Sequence, residues 1–405
     1  MLATEGDEIR GRRQEERHVD IDVGDQSARR LVPMIRAWPQ ESAYARAEIG
    51  LDVLRGIGTD VALMHLNGMA QKLKSKALQE RAQERLNDIA ERRGLSVDEL
   101  ADRLVPDFDL EPDGTRILEF GSRQFRVTFD ELLRPIVLGP EGQQIKDLPK
   151  PGQHDDAALA ASAVGAFKAM KKDLKAISTI QVERLEQAMR SQRCWTWPAF
   201  RLLLLEHPLM IHLTRRLLWQ AIDHPGGGVT TFRVAEDGTL ADADDDLYVP
   251  NEAGDVRLLH PVFLATEESK SWRDRFADYT ILQPFVQLNR PCYQLAESCQ
   301  ADTEITIVEG LKLHPGKVIG LTSRGWVKGE AWRAGVIPGM EKALPNGLRA
   351  VLPLDPGIYA GALTELGEQT LGRVTVIDRS DQVQALSRLG TIDYSELVHD
   401  LVGLR

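Results

Sequence analysis

Several hallmarks of common protein classes are absent from this 405-residue sequence. Its three cysteines, Cys194, Cys292 and Cys299, are too few and too scattered for a disulfide framework or a four-ligand zinc site. No apolar run approaches the roughly 20 residues of a transmembrane helix. The charged N-terminus lacks the apolar segment of a signal peptide. These absences predict a cytoplasmic protein without a membrane span.

The motifs of the commonest enzyme classes are missing as well. The sequence has no phosphate-binding loop, dinucleotide glycine fingerprint, nucleophile elbow or HExxH motif. We therefore predict no metal and no cofactor, and an enzymatic role is disfavoured. A net charge of −11 and the lack of a clear helix-turn-helix disfavour nucleic-acid binding. That role would require the lysines of residues 168–175 to continue into a basic groove.

What the sequence does contain begins with helical periodicity. Residues 1–26 are dense in both charges and predict a disordered tail. Two helix pairs of comparable length follow, in segments 27–38, 42–57, 59–73 and 75–94. Their spacing of roughly 35 residues suggests a HEAT-like solenoid. A further short helix is predicted after Ser96, which forms a capping box with Glu99.

Two small hairpins are predicted next. Alternating apolar residues flank Gly121 and Ser122, and a similar pattern surrounds Gly139–Gly142. Both patterns have the period of two residues that places alternate side chains on one face of a sheet. We therefore predict a small β-hairpin insert between the helix pairs and the middle of the chain.

A long amphipathic helix is predicted in the middle of the chain. Its apolar stripe recurs at spacings of 3, 4 and 3, through Phe167, Met170, Leu174 and Ile177. Four lysines fall mostly off the stripe, namely Lys168, Lys171, Lys172 and Lys175. They could form a phosphate-binding patch, but the interspersed acidic residues favour a solvated face. We interpret this helix as the bridge between the two halves.

Further helices are predicted up to Trp219, with Leu202–Leu205 as a fully buried turn. Beyond residue 225 short strands alternate with short helices, and the chain ends in a helix from Thr391. The predicted strands include 229–234, 257–264, 317–322, 348–354 and 372–378. This alternation is irregular, so the predicted fold class is α+β, with N-terminal HEAT-like helix pairs, a β-hairpin insert, long central helices and a C-terminal mixed α+β domain.

The predicted boundaries follow these changes of pattern. They are 1–26 for the tail, 27–110 for the HEAT-like helices, 111–153 for the β-hairpin region, 154–224 for the central helical segment and 225–405 for the α+β domain.

Polar residues among apolar ones mark a candidate ligand site in the last domain. Residues 277–291 are the richest stretch, and 323–329 add an arginine and a tryptophan. The candidates are His260, Asp278, Gln283, Gln287, Arg290, Arg324 and Trp326. By residue type, the arginines would bind an anion, Asp278 or His260 would act as a base, and Trp326 would stack on a ring. The same composition is typical of a buried hydrogen-bond network, which is the alternative interpretation.

A family resemblance extends from about Trp38 to the C-terminus. It rests on stretches that include GLSVDELADRL, QVERLEQAM, HPLMIHLTRRLLW, FRVAEDGTLADADD, DYTILQPFVQLNR, RGWVKG and SELVHDL. In order and content they resemble the C-terminal region of the bacterial MolR-like family, the molybdate metabolism regulator group. Longer members often carry a WGR domain, which this sequence lacks. The resemblance therefore implies HEAT-like repeats but transfers no nucleic-acid role.

Two functions are consistent with the sequence. The first is a non-catalytic interaction, scaffold or regulatory protein, because concave helical surfaces bind partners. The resemblance implies a MoxR-type AAA+ ATPase or a von Willebrand A-type protein as that partner. The alternative is an enzyme or ligand-binding protein for an anionic or nucleotide-like ligand in the C-terminal domain.

Overall fold

The structure is a computed structural model that describes residues 24–73, 75–223, 226–332, 335–359 and 367–405. It confirms the α+β class, since helices and antiparallel sheets occur together without a regular βαβ alternation. Most of the predicted tail lies outside the described residues. Residues 24–26 do not belong to a tail, because they form the start of the first helix. Within the described ranges, no helix has the length and apolar character needed to cross a bilayer.

The N-terminal part is a layer of five helices. They are α1 (24–37), α2 (Tyr44–Ile57), α3 (Asp60–Lys72), α4 (Lys76–Arg93) and α5 (Val97–Arg103). The two predicted pairs are therefore present as helices. The capping box of α5 is also confirmed, since the Ser96 and Glu99 side chains each accept a backbone N–H from the other residue. Helix α2 contacts both α3 and α4, and one apolar core joins them.

A four-stranded antiparallel sheet follows this layer. Its strands are β1 (Arg116–Glu119), β2 (Gln124–Phe129), β3 (Pro135–Leu138) and β4 (Gln144–Ile145), in that spatial order. Both predicted hairpins are confirmed. Gly121 has a φ of 87°, and a side chain there would meet the backbone of Asp156. The tight turn thus allows the sheet to lie against the start of the next helix.

Helix α6 (Ala157–Ser191) has 35 residues and is about 50 Å long at 1.5 Å per residue. Asp156 caps its N-terminus by accepting the N–H groups of Ala158 and Leu159, each at 2.9 Å. The predicted apolar stripe is buried, and the predicted lysines are exposed. Helix α6 contacts α3, β1, one strand of the second sheet and the C-terminal helix. It is therefore positioned as the predicted bridge.

The second sheet corrects two predictions. Its strands are β5 (Cys194–Thr196), β6 (Leu218–Ile222), β7 (Val229–Val234), β8 (Leu240–Ala241) and β9 (Asp255–Leu258), in the order β5-β9-β6-β7-β8. Trp219 does not end a helix but lies in β6. The boundary at residue 225 cuts through this sheet, because β6 pairs with β7. The central segment is thus only partly helical.

Between β5 and β6 the chain forms α7 (Trp197–Phe200), a π-helical turn (Arg201–Leu205) and α8 (Ile211–Thr214). The prediction that Leu202–Leu205 is fully buried was wrong. Leu203 and Leu204 are buried, but 63% of Leu202 is exposed because it points away from the sheet core. Helix α9 (Thr266–Asp278) packs over the sheet through Trp272.

A third, seven-stranded sheet forms the C-terminal part. It comprises β10 (Glu304–Ile305), β11 (Lys312–Leu313), β12 (Trp326–Lys328), β13 (Val336–Ala343), β14 (Arg349–Tyr359), β15 (Gln369–Leu371) and β16 (Val374–Ile377). Segment 317–322 is not a strand as predicted. It belongs to α10 (Pro315–Ile319) and the 3-10 turn after it, where Pro315 starts the helix. The final helix, α11 (Thr391–Val402), confirms the last prediction.

Candidate functional site

Two of the predicted site residues meet at a buried carboxylate on α11. Arg290 donates to both oxygens of Glu396, from Nε at 2.6 Å and from Nη2 at 2.7 Å. Arg190 on α6 adds an ion pair at 2.9 Å. His260 lies 3.2 Å from the same carboxylate, and its Nδ1 accepts the N–H of Val262. Nε2 therefore carries the proton and donates it to Glu396. Glu396, Arg290, Arg190 and His260 form what we call the Glu396 cluster.

Arg324 and Trp326 contact the same helix one turn later. The indole N–H of Trp326 donates to Asp400 at 2.9 Å, and Lys342 pairs with the same carboxylate. Arg324 donates to the backbone carbonyl of Asp400 at 3.2 Å. Trp326 is 1% exposed, so stacking on a ligand ring is not open to it. Arg324 does not share a strand with Trp326, since it ends a 3-10 turn before that strand begins.

Gln283 and Gln287 stabilise the loop before Arg290 through hydrogen bonds. Gln287 accepts the N–H of Leu218 and donates to its carbonyl, both at 2.8 Å, and donates to Leu259 at 2.9 Å. Gln283 in turn donates to Gln287 at 2.9 Å. Asp278 is exposed at the end of α9 and takes no part in this network.

The predicted chemical roles are corrected for three residues, because their polar atoms are already engaged. Both ring nitrogens of His260 are hydrogen-bonded in a fully buried position, so the ring does not offer a free base. The guanidinium of Arg290 binds Glu396 and Glu186 rather than an open space. Trp326 is enclosed. These residues match the alternative of a buried hydrogen-bond network.

A different cleft, next to the second sheet, has polar groups that are not all paired. It has a volume of about 770 Å³ and lies between the β1–β4 sheet, the second sheet and the end of α9. Its charged and aromatic wall residues include Arg215, Arg216, Arg233, His212 and Tyr279. We call it the arginine cleft.

Arg215 has no hydrogen-bond or ion-pair partner among the residues that the structure describes. The side chain is half-buried, and its Nε is fully buried without a hydrogen bond to any described residue. Burial lowers the pKa of Arg215, although the charges of Glu236, Asp113 and Asp237 act in the opposite direction. A buried N–H without a partner is costly, and an anionic group in the cleft would supply one.

The neighbouring arginines are held in place by the protein. Arg233 donates to Asp245 at 2.7 Å and lies 4.3 Å from the ring centre of Tyr279. Its Nε is likewise buried without a partner among the described residues. Arg216 donates from Nε to the carbonyl of His212 at 3.1 Å. Such fixed donors bind a planar or tetrahedral anion at low entropic cost.

His212 forms part of the cleft wall. Its Nε2 lies 2.7 Å from the carbonyl of Gly114, which assigns the proton to Nε2 and leaves Nδ1 as an acceptor. Burial lowers the pKa of His212, so the ring is neutral at pH 7. Gly114 has a φ of 79°, and a Cβ there would lie 2.5 Å from the histidine Nε2. Glycine at this position therefore permits the contact.

The sequence contains a signal for this cleft, two adjacent arginines, but predicts them as part of a helix. Arg215 and Arg216 are adjacent charges within an apolar segment, and we assigned them to a helix. Their convergence with Arg233 requires the β6–β7 pairing, in which Leu218 lies opposite Arg233. Among the described residues, no group of three or more histidine, cysteine or acidic side chains is arranged to hold a metal ion.

Comparison with known proteins bears on this region. Residues 142–326 match the model of DUF4132, a domain of unknown function. The DUF4132 match includes the three arginines of the cleft. The uncharacterized protein YehI of Escherichia coli (strain K12) is 36% identical over 310 residues, which cover 76% of this chain and 26% of YehI. The chain thus spans about a quarter of the length of that relative. No solved structure matches the chain.

Proposed function

We propose that this chain is a non-catalytic binding protein that takes an anionic, nucleotide-sized ligand into the arginine cleft. The observation that carries the proposal is the half-buried Arg215, whose Nε has no partner among the described residues. Arg216 and Arg233 stand beside it in fixed orientations. A volume of about 770 Å³ suits a ligand of nucleotide size.

The carboxylates of the cleft do not compete for Arg215 through direct contacts. Asp113 is bound by Thr115, and Asp237 is bound by Thr239. Both lie at exposed positions of their turns. Their position favours a ligand that presents its anionic group to the arginines and its neutral polar part to the rim.

Replacing Arg215 by alanine should weaken binding of a nucleoside monophosphate at least about tenfold, since a charge-assisted hydrogen bond is worth roughly 1.5–3 kcal/mol. Isothermal titration of AMP and GMP, with adenosine and guanosine as uncharged probes, measures this change. Arg215→Lys should retain part of the affinity because it keeps the charge.

The matched control is Arg373→Ala, because Arg373 is exposed in the link between β15 and β16 and paired with Glu304 and Glu309. It should bind as the wild type does. Equal affinity of the Arg215→Ala variant and the wild type, or equal binding of nucleosides and nucleotides, would contradict the proposal.

A second candidate function is the predicted interaction or scaffold role. It is favoured by an exposed apolar face on α2, where Ile49 and Val53 lie one turn apart and are 63% and 46% exposed. Tyr44, at the start of the helix, is 51% exposed. By the MolR-like resemblance, we propose that a MoxR-type ATPase or a von Willebrand A-type protein covers this face.

Changing both Ile49 and Val53 to aspartate should abolish co-purification of that partner from native cells, because buried charges oppose docking of an apolar face. Quantitative mass spectrometry of the tagged protein measures the loss. The control is Leu247→Asp with Val249→Asp, a pair 71% and 76% exposed in a hairpin of the second sheet. If both double variants retain the partner equally, α2 is not the docking face.

A further inference from the structure

The lysine face of α6 does not lie entirely in open solvent. Lys171 is paired with Asp147 at 3.0 Å beside the first sheet. Lys172 and Lys175 instead line a pocket of about 420 Å³ between α1, α3 and α6. Arg29 and Arg36 of α1 form its opposite wall. We call this the basic pocket.

Positive charge exceeds negative charge in the basic pocket. Four cationic side chains line it, and its one acidic side chain is Asp173. Asp173 is 2% exposed and already accepts the Nε–H of Arg29 at 2.6 Å. Burial raises the pKa of Asp173 despite that bond. The chain as a whole carries −11, so this local excess of cations is opposite to its overall charge.

His65 on α3 supplies the second observation. It is 7% exposed, and its Nε2 is buried without a hydrogen bond to any described residue. The nearest carboxylate oxygen, on Asp173, is 3.9 Å away, which is beyond hydrogen-bond distance. A buried polar atom without a partner costs free energy, and a ligand oxygen in the pocket would satisfy it.

The packing of α3 on α6 places this histidine at the pocket. Gly68 is one turn after His65, and a Cβ there would lie 2.8 Å from Cδ1 of Ile180. The two helices therefore approach closely at this point, and both Gly68 and Ile180 line the pocket. A larger residue at position 68 would require the Ile180 side chain to shift.

The electrostatic state of His65 agrees with this geometry. Burial, followed by the charges of Arg36, Arg29 and Lys172, lowers the pKa of His65 to about 4. Those three cations line the same pocket as the ring, and the carboxylate that lines it, on Asp173, is already bound by Arg29. A bound anion would oppose them, and the pKa of His65 would rise.

We propose that the basic pocket binds the phosphoryl group of a small phosphorylated metabolite. Lys172, Lys175 and Arg36 would neutralise its charge, and His65 would bind one of its oxygens. Phosphate groups are bound by such clusters of charged donors without a metal ion. This site is separate from the arginine cleft and does not depend on the function proposed for it.

The test uses the full chain with glucose 6-phosphate, inorganic phosphate and glucose as probes, measured by isothermal titration. We expect saturable binding of both phosphates and no binding of glucose. The double variant Lys172→Ala with Lys175→Ala should weaken binding at least about tenfold, because two charged contacts are lost. Both lysines are exposed, so folding should be unaffected.

The matched control is Lys168→Ala with Lys171→Ala, which removes the same charge from the same helix outside the pocket. An equal loss in both double variants would mean general attraction to the lysine face and would overturn the proposal. A short DNA duplex that binds more tightly than glucose 6-phosphate, and loses that binding in the Lys172/Lys175 variant, would identify the ligand as a nucleic acid. The metabolite proposal would then be overturned. Absence of saturable phosphate binding would also overturn it.

A second readout separates the basic pocket from the arginine cleft. The imidazole signal of His65, assigned by its disappearance in His65→Gln, should titrate at a higher pH when phosphate is present. Arg215→Ala should leave this shift unchanged. If phosphate moves the titration of His212 but not that of His65, the anion binds in the arginine cleft and the inference for the basic pocket fails.

Discussion

Replacing Glu396 by glutamine should lower the free energy of unfolding by about 3–5 kcal/mol, the range expected when one partner of a buried ion pair is removed. Glu396 is 4% exposed and receives Arg290 through two hydrogen bonds, Arg190 through one ion pair and His260 through one hydrogen bond. Glutamine keeps the shape but removes the charge. The buried guanidinium of Arg290 and the partly buried guanidinium of Arg190 would then each lose this carboxylate partner. Equilibrium urea unfolding measures the difference.

The structural consequence extends beyond α11, since the Glu396 cluster joins three parts of the chain. Arg190 belongs to α6, Arg290 follows the second sheet, and Glu396 lies against the third sheet. Arg290 also pairs with Glu186 on α6 at 2.7 Å. We therefore expect the variant to unfold its C-terminal part first, with loss of protection from hydrogen exchange in α11.

The control is Glu304→Gln, since Glu304 forms an exposed ion pair with Arg373 at 2.9 Å. It should cost less than about 1 kcal/mol, as exposed pairs do. Burial alone would raise the pKa of Glu396, but the hydrogen bonds from His260 and Arg290 and the charges of Arg290 and Arg190 hold it well below its usual range. Its contribution is complete above the unfolded pKa of 4.5 and is lost as the pH falls below that value. Equal acid sensitivity of wild type and Glu396→Gln would contradict this account.

Replacing Trp219 by alanine should cost about 3–5 kcal/mol of stability, as for other buried tryptophans. Trp219 has no exposed surface and lies in β6 at the centre of the largest apolar core. Its ring centre is 4.8 Å from that of Phe200 and 5.9 Å from that of Trp195. Its indole N–H donates to the carbonyl of Thr214 at 2.9 Å. Alanine would leave a cavity and remove one of the two hydrogen bonds to the Thr214 carbonyl, which also accepts the N–H of Leu217.

Thermal unfolding followed by circular dichroism measures this loss. Trp332→Ala serves as the control because 67% of Trp332 is exposed, and it should stay within about 0.5 kcal/mol of the wild type. Comparable destabilisation by the two changes would mean that β6 does not organise the core. Retention of wild-type stability by Trp219→Ala would have the same meaning.

The sequence predicted correctly those elements whose signals extend over only a few residues. The four N-terminal helices, the capping box at Ser96 and the turn at Gly121 follow from periodicity, caps and backbone freedom, which act over a few residues. The apolar stripe of α6 was also readable, because its spacing repeats over several turns. The structure confirms each of these, although the HEAT-like identity of the helices stays a prediction.

Whether a short apolar segment forms a helix or a strand depends on the elements that it packs against. The segment predicted as a helix ending at Trp219 is helical only at Ile211–Thr214. Pairing with β7 and β9 makes its last two residues part of a strand. Segment 317–322 has a strand-like composition, but Pro315 and the packing of α10 on the third sheet make it helical. Local propensity is outweighed by tertiary contacts in both cases.

The candidate site residues show most clearly the difference between what local sequence predicts and what tertiary contacts determine. The sequence identified Arg290 as a polar residue in apolar surroundings, but its partner Glu396 lies 106 residues away, so its engagement could not be read locally. Arg215 and Arg233 become neighbours of one cleft only through the pairing of β6 with β7. Whether a charged residue is paired or open to a ligand depends on which distant residues fold against it. Composition and periodicity therefore determined the fold class and most helices, while tertiary packing alone decided which charges remain available for binding.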